Sequence, residues 1–273
     1  MMQPSSWLAK LKQTQAWRIH RSKEYLDSLR VAGFRMASRF LPPDEELVIV
    51  SGADHKFFPD ALQLFESVQP FEAQSRFIFY DLGLTDAQRL EMNERFPRIE
   101  VRTFDFSRYP DYFDITSKAG EYAWKPVIIS EVFNECRSQI VWMDSRNVLT
   151  GRLMDIRMVL RVVGVYSPTS TGEVGALTHS GMMRYLRAKA WMNKRSQLSG
   201  GLVAFRFASK SARAIVDEWC KCALDRHCIA PPGSDRTNHR QDQSALSILC
   251  YQRGVTRFMP RKKLGILVHR DVS

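Results

Sequence analysis

The chain lacks most of the features that would assign it a class directly. No apolar run in its 273 residues reaches the roughly 18 that a membrane-crossing helix needs. Its opening stretch, MMQPSSWLAKLKQTQAWRIHRSKEY, has no continuous apolar core of the kind a secretion signal carries. These two absences lead to the expectation of a cytoplasmic protein. Neither GxGxxG nor GxxxxGK[ST] occurs, which disfavours the usual dinucleotide-binding and P-loop readings. There is no internal repeat and no low-complexity segment. Hydrophobic residues at 44% and charged residues at 25% exclude a disordered chain.

Cysteine is also scarce. The five, Cys136, Cys220, Cys222, Cys228 and Cys250, are odd in number and sit in a chain too long to need staples, which argues against a disulfide framework. Zinc is suggested by Cys220, Cys222 and Cys228 with His227 and His239. It is set aside because Cys220 and Cys222 fall in a helical pattern, where i and i+2 point apart. The expectation is reduced, partly buried thiols.

Acidic residues are in deficit: 29 against 40 basic ones, for a formal charge of +11. Such a chain favours anionic partners. A phosphorylated small molecule, an acidic membrane surface and a nucleic acid all qualify. The Lys and Arg are scattered and no RNA- or DNA-binding motif is present, so nucleic acid ranks last.

What is present is an alternation. Residues 1–43 mix Trp7, Leu8, Leu11, Trp17 and Ile19 with Lys10, Lys12, Arg18, Arg21 and Lys23, and read as a basic helical extension. It is expected to pack on its own domain or a partner chain, or to lie as a peripheral segment on an anionic membrane. Pro42-Pro43 closes it. Residues 44–273 then read as one domain. Short apolar runs at 47–51, 76–80, 99–104 and 139–143 predict strands. Between them, helical spacing recurs at 57–69, 85–96 (Thr85 as N-cap) and 122–136 (Pro126 in its first turn). Strand alternating with helix predicts an α/β fold with a mostly parallel central sheet flanked by helices. The second half is less regular. Helices are expected at 152–163, 209–224 and 240–253, a strand at 201–206, short strands or loops at 165–167 and 175–178, and an extended tail from 262 to 273.

Ligands of open α/β sheets bind outside the carboxyl ends of the strands, and several residues fall there. Ser51-Gly52-Ala53-Asp54 follows the first strand, and Gly52 lets a ligand approach the backbone. A plain strand-to-helix turn explains the same residues. Asp144 ends the run Gln139-Ile140-Val141-Trp142-Met143, with Arg146 two residues on. It is either exposed for binding or held as a cap of the next helix. Lys125, at a predicted helix start, can face a phosphate, and Trp124 can stack on a base or a sugar. A solvated Lys and a packing Trp are the bland alternative. Asp242 and Gln243 open a later helix, where Asp242 can also serve as a charge on the helix dipole. His269 lies in a tail that can fold back over the cleft.

Taken in order, VIVSGADHKFF (48–58), FIFYDLGL (77–84), YAWKP (122–126), VWMDSRN (141–147), LSGGLVAF (198–205) and QDQSAL (241–246) resemble the nucleotide-sugar-dependent glycosyltransferases of GT-A fold. The family 8-like enzymes and a related group of largely uncharacterised proteins are the nearest in pattern. The resemblance implies that Ser51, Gly52, Ala53 and Asp54 sit at the nucleotide. It implies that Asp144 is the first Asp of a DxD motif holding the donor and a divalent metal, Mn²⁺ or Mg²⁺. Gly200 and Gly201 would form the small-residue turn beside the acceptor. Asp242 and Gln243 would be the first two residues of an Asp-Gln-Asp motif near the reacting sugar, and His269 a further metal ligand.

Two positions depart from that pattern. Arg146 stands where DxD has its second Asp, and Ser244 where the third residue should be acidic. A diphosphate leaving group needs positive charge as its bond breaks. Either a metal on Asp144 and His269 supplies it, or Arg146 with Lys125 replaces the metal, or activity has been lost. The expected function is transfer of a sugar from a nucleotide-diphosphate donor to a hydroxyl acceptor, in polysaccharide or glycoconjugate synthesis. The alternative is an inactive module of the same fold that binds nucleotide or glycan.

Overall fold

The computed structural model describes residues 25–37, 40, 46–261 and 263–268. Residues 25–37 form helix α1. Most of the rest of the expected N-terminal extension, and His269, lie outside the described residues.

The apolar runs of the first half become strands because each is short, β-branched or aromatic, and flanked by turn residues. Strand β1 (Leu47–Ala53) is buried along its whole length. It is followed by α2 (Phe58–Glu72), β2 (Phe77–Asp81), α3 (Asp86–Arg95) and β3 (Glu100–Thr103). Then come α4 (Trp124–Cys136) and β4 (Gln139–Met143), also buried throughout. Thr85 caps α3 in a full capping box with Gln88, as its sequence predicts.

The second half adds β5 (Val148–Leu149), α5 (Met154–Val163), β6 (Val165–Tyr166), β7 (Thr169–Glu173), α6 (Ser180–Tyr185), β8 (Ser196–Leu198) and β9 (Leu202–Arg206). It closes with α7 (Lys210–Ala223), α8 (Arg226–Ile229), α9 (Gln241–Gln252) and β10 (Ile266–Leu267).

The main sheet has the order β3-β2-β1-β4-β9-β6. The first four strands run parallel. Strand β9 then pairs antiparallel to β4, and β6 antiparallel to β9. The fold is therefore α/β with a mixed, mostly parallel sheet, as expected. Its central strands are covered on both faces, which is why β1 and β4 read as continuous apolar runs. The edge strand β3 instead alternates, and its Glu100 and Arg102 enter a surface ion network with Arg76 and Glu135.

The segment 175–178 is a loop, one of the two forms expected for it. The local ribbon is made by β7 and β8, paired antiparallel with an irregular register. One expectation needs correction: the thiols are not all reduced, because Cys222 and Cys228 form a disulfide. Helix α7 ends at Ala223, and Asp225 caps α8, so the chain reverses and brings the two cysteines together. The sequence spacing within a helix said nothing about a partner beyond its end. Cys136, Cys220 and Cys250 are free.

Candidate functional site

The antiparallel pairing of β4 with β9 builds the site. The register Met143↔Leu202 sets Asp144, one residue beyond β4, beside the Gly200-Gly201 turn that leads into β9. The Gly201 carbonyl accepts the Asp144 backbone N–H at 2.9 Å and the Asn147 Nδ2–H at 2.6 Å. Residues 144–147 close as a turn, with Asn147 N–H donating to the Asp144 carbonyl at 2.9 Å. Arg146 is half-buried within this turn.

Helix α4 begins at Trp124 and sends Lys125 inward rather than to solvent. Its Nζ lies 2.9 Å from Asp144 Oδ1 and 3.3 Å from Asp242 Oδ2. It also donates to the Gly200 carbonyl at 3.3 Å. The rings of Tyr122, Trp124 and Trp142 each lie 5.7 Å from it. Lys125 is 3% exposed and Asp242 4%, while the Asp144 side chain keeps 27% of its surface open. Asp144 is thus the carboxylate a ligand can reach.

Burial works against the Lys125 ammonium, but Asp144 and Asp242 outweigh it and hold its pKa above the usual lysine range. Burial pushes the Asp242 carboxyl up; Lys125 opposes this and the Asp144 charge adds to it. Two carboxylates around one ammonium leave a formal excess of one negative charge in a low-dielectric setting. Trp142 offsets part of it by donating Nε1–H to Asp144 Oδ1 at 2.7 Å.

The position of Asp242 is fixed from three sides. Trp219 on α7 donates to the Asp242 carbonyl at 2.9 Å. Gln241, the residue before it, donates Nε2–H to Glu121 Oε2 at 2.9 Å, and both side chains are buried. Gly200 approaches so closely that a Cβ there would lie 2.8 Å from Asp242 Oδ2 and 3.2 Å from Gln243 Cβ. Glu121 belongs to an uncommon stretch. Lys118, Ala119, Gly120, Glu121 and Tyr122 all have positive φ, from 48° to 60°. L-residues pay for such a conformation, and only Gly120 escapes that cost. The strain is held next to the site, where the surrounding contacts over-determine it.

The predicted residues divide accordingly. Lys125, Asp144, Asp242, Gly200 and Gly201 converge. Gln243 is half-buried, with its Oε1 3.5 Å from the Gly200 N–H. Ser244, in place of an acidic residue, is buried and donates to the Leu177 carbonyl at 2.7 Å. Ser51, Gly52 and Ala53 are buried inside β1, which runs two residues further than expected. The Ser51 hydroxyl has no hydrogen-bond partner among the described residues, and a Cβ at Gly52 would lie 3.1 Å from the Tyr80 carbonyl. Asp54 caps its own turn, accepting from Lys56 and Phe57 N–H at 3.0 and 3.2 Å. Trp124 is 6% exposed and donates to the Ala119 carbonyl, so it packs rather than offering a stacking face. Lys125 meets carboxylates where a phosphate was expected.

Glu121, Gln241 and Trp142 were not singled out in the sequence. Trp142 carried a signal, because residues i and i+2 of a strand share a face, which places its indole beside Asp144. Glu121 and Gln241 carried none, since their pairing joins positions 120 apart in the chain.

A divalent ion takes several oxygen ligands. Among the described residues no three His, Cys, Asp or Glu side chains converge as ligands. The place between the two carboxylates is filled by the Lys125 ammonium. The described residues therefore do not fit a metal held by Asp144 and Asp242 together.

Among solved structures, the chain is similar to the galactosyltransferase LgtC, solved with donor and acceptor sugar analogues. The TM-score is 0.52 at 14% identity, covering 82% of this chain and 87% of that one. The fold is GT-A-like. The chain is also similar to the bifunctional glycosyltransferase WbbM in its apo form (TM-score 0.51, 14% identity, 78% of this chain), although it spans only 39% of that protein's length. A third likeness is to core-mannan synthase A from Aspergillus fumigatus in its Mn/GDP form, with TM-score 0.50 and 7% identity over 75% of this chain and 69% of that one. Residues 30–130 match a family described as a protein of unknown function (DUF1647). A search of curated proteins gave no match. No helix among the described residues is long and apolar enough to cross a membrane.

Proposed function

We propose that the chain is a glycosyltransferase that moves a sugar from a nucleotide-diphosphate donor to a hydroxyl acceptor at the Lys125–Asp144–Asp242 cluster. The observation that carries this reading is the position of Asp144. It is a partly open carboxylate at the carboxyl end of β4, where the parallel part of the sheet meets its antiparallel edge, in a GT-A-like fold. Sheets of this kind bind ligands at such crevices.

In this reading Asp144 accepts hydrogen bonds from hydroxyls of the donor. Lys125 holds Asp144 and Asp242 in register, and its charge opposes the upward push of burial on Asp242. Arg146, in the turn after Asp144, meets the diphosphate and offsets the charge that grows as the bond from the anomeric carbon to the phosphate oxygen breaks. The acceptor oxygen forms the new bond to that carbon, and its proton passes to a base. The raised pKa of Asp242 suits that duty, and the half-buried Gln243 follows it in the chain. Gly200 and Gly201 let the turn pack directly against Asp242 and Gln243, which sets these residues beside Asp144. A divalent metal enters no step here.

The test is hydrolysis and transfer from a panel of nucleotide-diphosphate sugars by the wild-type chain, with and without Mn²⁺. Turnover of at least one donor supports the reading, and none with any donor contradicts it. The burial of Asp242 favours one alternative, a module that binds donor or glycan without turnover. Nucleotide binding without any product would select it.

A further inference from the structure

A cavity of about 610 Å³ lies away from the cluster, between the last turn of α9, β8 and residues 254–261. Among the described residues no Asp or Glu lines it, whereas Arg30, Lys194, Arg195, Arg257 and Arg261 all do. Two of these cations have a carboxylate nearby: Asp27 is 3.4 Å from Arg30 and Glu173 is 3.3 Å from Lys194. Arg195, Arg257 and Arg261 form no ion pair with a carboxylate among the described residues. Mutually repelling cations gathered around one hollow raise the local potential and concentrate anions there.

The cavity wall is not only basic. Trp191 is 50% exposed. It meets Tyr251 edge-on with ring centroids 6.2 Å apart, and the Arg195 guanidinium lies 5.4 Å from its ring. Tyr251 is itself held by its hydroxyl, which donates to the Ser196 carbonyl at 2.7 Å. A fixed, half-open indole beside guanidinium forks combines a flat apolar face with paired donors for an oxyanion. A sugar ring with sulfate or carboxylate groups presents both complements. The volume falls within the range of sites for ligands well beyond a single phosphate.

The cavity is joined to the cluster by two elements. Ser196, at the start of β8, lines it, and Gly200, four residues on, borders Lys125. At roughly 3.3 Å per extended residue, the two places are about 13 Å apart. Ser247 on α9 ties β8 to that helix by accepting from the Leu198 N–H at 2.9 Å. This is the reach of a few sugar rings along one chain.

We propose that this cavity binds an acidic saccharide, one bearing sulfate or carboxylate groups, as the distal part of the acceptor glycan. The word acceptor rests on the glycosyltransferase reading, but the binding itself does not. The test uses a heparin-derived hexasaccharide and its fully desulfated form, titrated calorimetrically into the full chain. The same titrations are run on the triple variant Arg195→Ser/Arg257→Ser/Arg261→Ser and on Trp191→Ala, both first checked for native circular dichroism. Wild type is expected to bind the sulfated form, with the triple substitution weakening it about ten-fold or more, desulfation (which leaves the carboxylates) weakening it less, and Trp191→Ala weakening it severalfold.

Equal binding by wild type and the triple variant overturns the proposal. So does pyrophosphate that competes as well as the hexasaccharide while Trp191→Ala has no effect, because the site would then be one for simple anions. Binding to phosphatidylserine vesicles without binding of the soluble saccharide overturns it in favour of a lipid surface. A nucleotide-sugar titration of the same preparations separates the two readings. Donor binding unaffected by the triple substitution leaves the transferase reading standing even if the saccharide fails. Saccharide binding without any donor binding leaves the cavity standing and removes its link to transfer.

Discussion

Lys125 on α4 and Asp144 beyond β4 meet at 2.9 Å, with the lysine almost wholly buried. A helix start and a strand end are locked together at the point where a ligand would enter. The ammonium also faces Asp242 at 3.3 Å, so removing it leaves two carboxylates facing each other without compensation. Lys125→Met is expected to destabilise the fold by about 3–5 kcal/mol, the usual cost of breaking a buried pair from one side. Urea unfolding of the variant checks this, and a change near zero would mean that the pair is not buried as described.

Asp242 makes a prediction about pH. Its folded pKa is raised, first by burial, above the roughly 3.9 of an unfolded Asp. Between those two values the folded state binds more protons than the unfolded one. Stability from this group is therefore full below the unfolded value and is lost as pH rises through the folded one. Relative to Asp242→Asn, the wild type should lose stability between pH 4 and pH 7. Paired denaturation curves at both pH values measure the difference, and its sign is the test.

Gly200 is where a side chain cannot be added. With a Cβ only 2.8 Å from Asp242 Oδ2, Gly200→Ala should force Asp242 or the turn to move, at about 1–3 kcal/mol. Transfer activity should fall more than stability does. Circular dichroism melting alongside kcat/KM for the donor found active distinguishes the two effects.

The left-handed stretch predicts an unusual gain. Ala119 has φ of +54°, a conformation that costs a non-glycine residue roughly 1–2 kcal/mol. Gly there gives back part of that in unfolded-chain entropy. Ala119→Gly should therefore stabilise the chain by up to about 1 kcal/mol. Gly120→Ala should do the reverse, because its Cβ would lie 2.3 Å from the Phe113 carbonyl oxygen. Thermal melts of the two variants should move in opposite directions.

The Cys222–Cys228 bond predicts that two of the five cysteines resist alkylation in denaturant until a reductant is added. Mass spectrometry counts the labels. Such bonds persist in oxidising surroundings.

Much of this molecule was legible from local chemistry. Thr85, Pro126 and the run Gln139–Met143 specify a cap, a helix start and a buried strand, because each acts within a few residues. Asp144 was legible as a strand-end carboxylate for the same reason. What escaped depends on distance or on backbone conformation. The destination of Lys125 is set by the pairing of β4 with β9 and by the approach of α9, which no window of sequence contains. Glu121 reaches Gln241 only because five residues turn left-handed, against their intrinsic preference. Ser51 looked like a strand end but is strand interior, since β1 extends to meet Asp81 on β2.

Calorimetric titration of nucleotide diphosphates and their sugars into the wild type and Asp144→Asn addresses the proposed donor site most directly. The expected result is binding to the wild type that persists in chelator and weakens at least about ten-fold in the variant, with the fold intact. Binding that is equal in the two proteins, or absent from the wild type, would contradict the assignment of Asp144 and the cluster around Lys125.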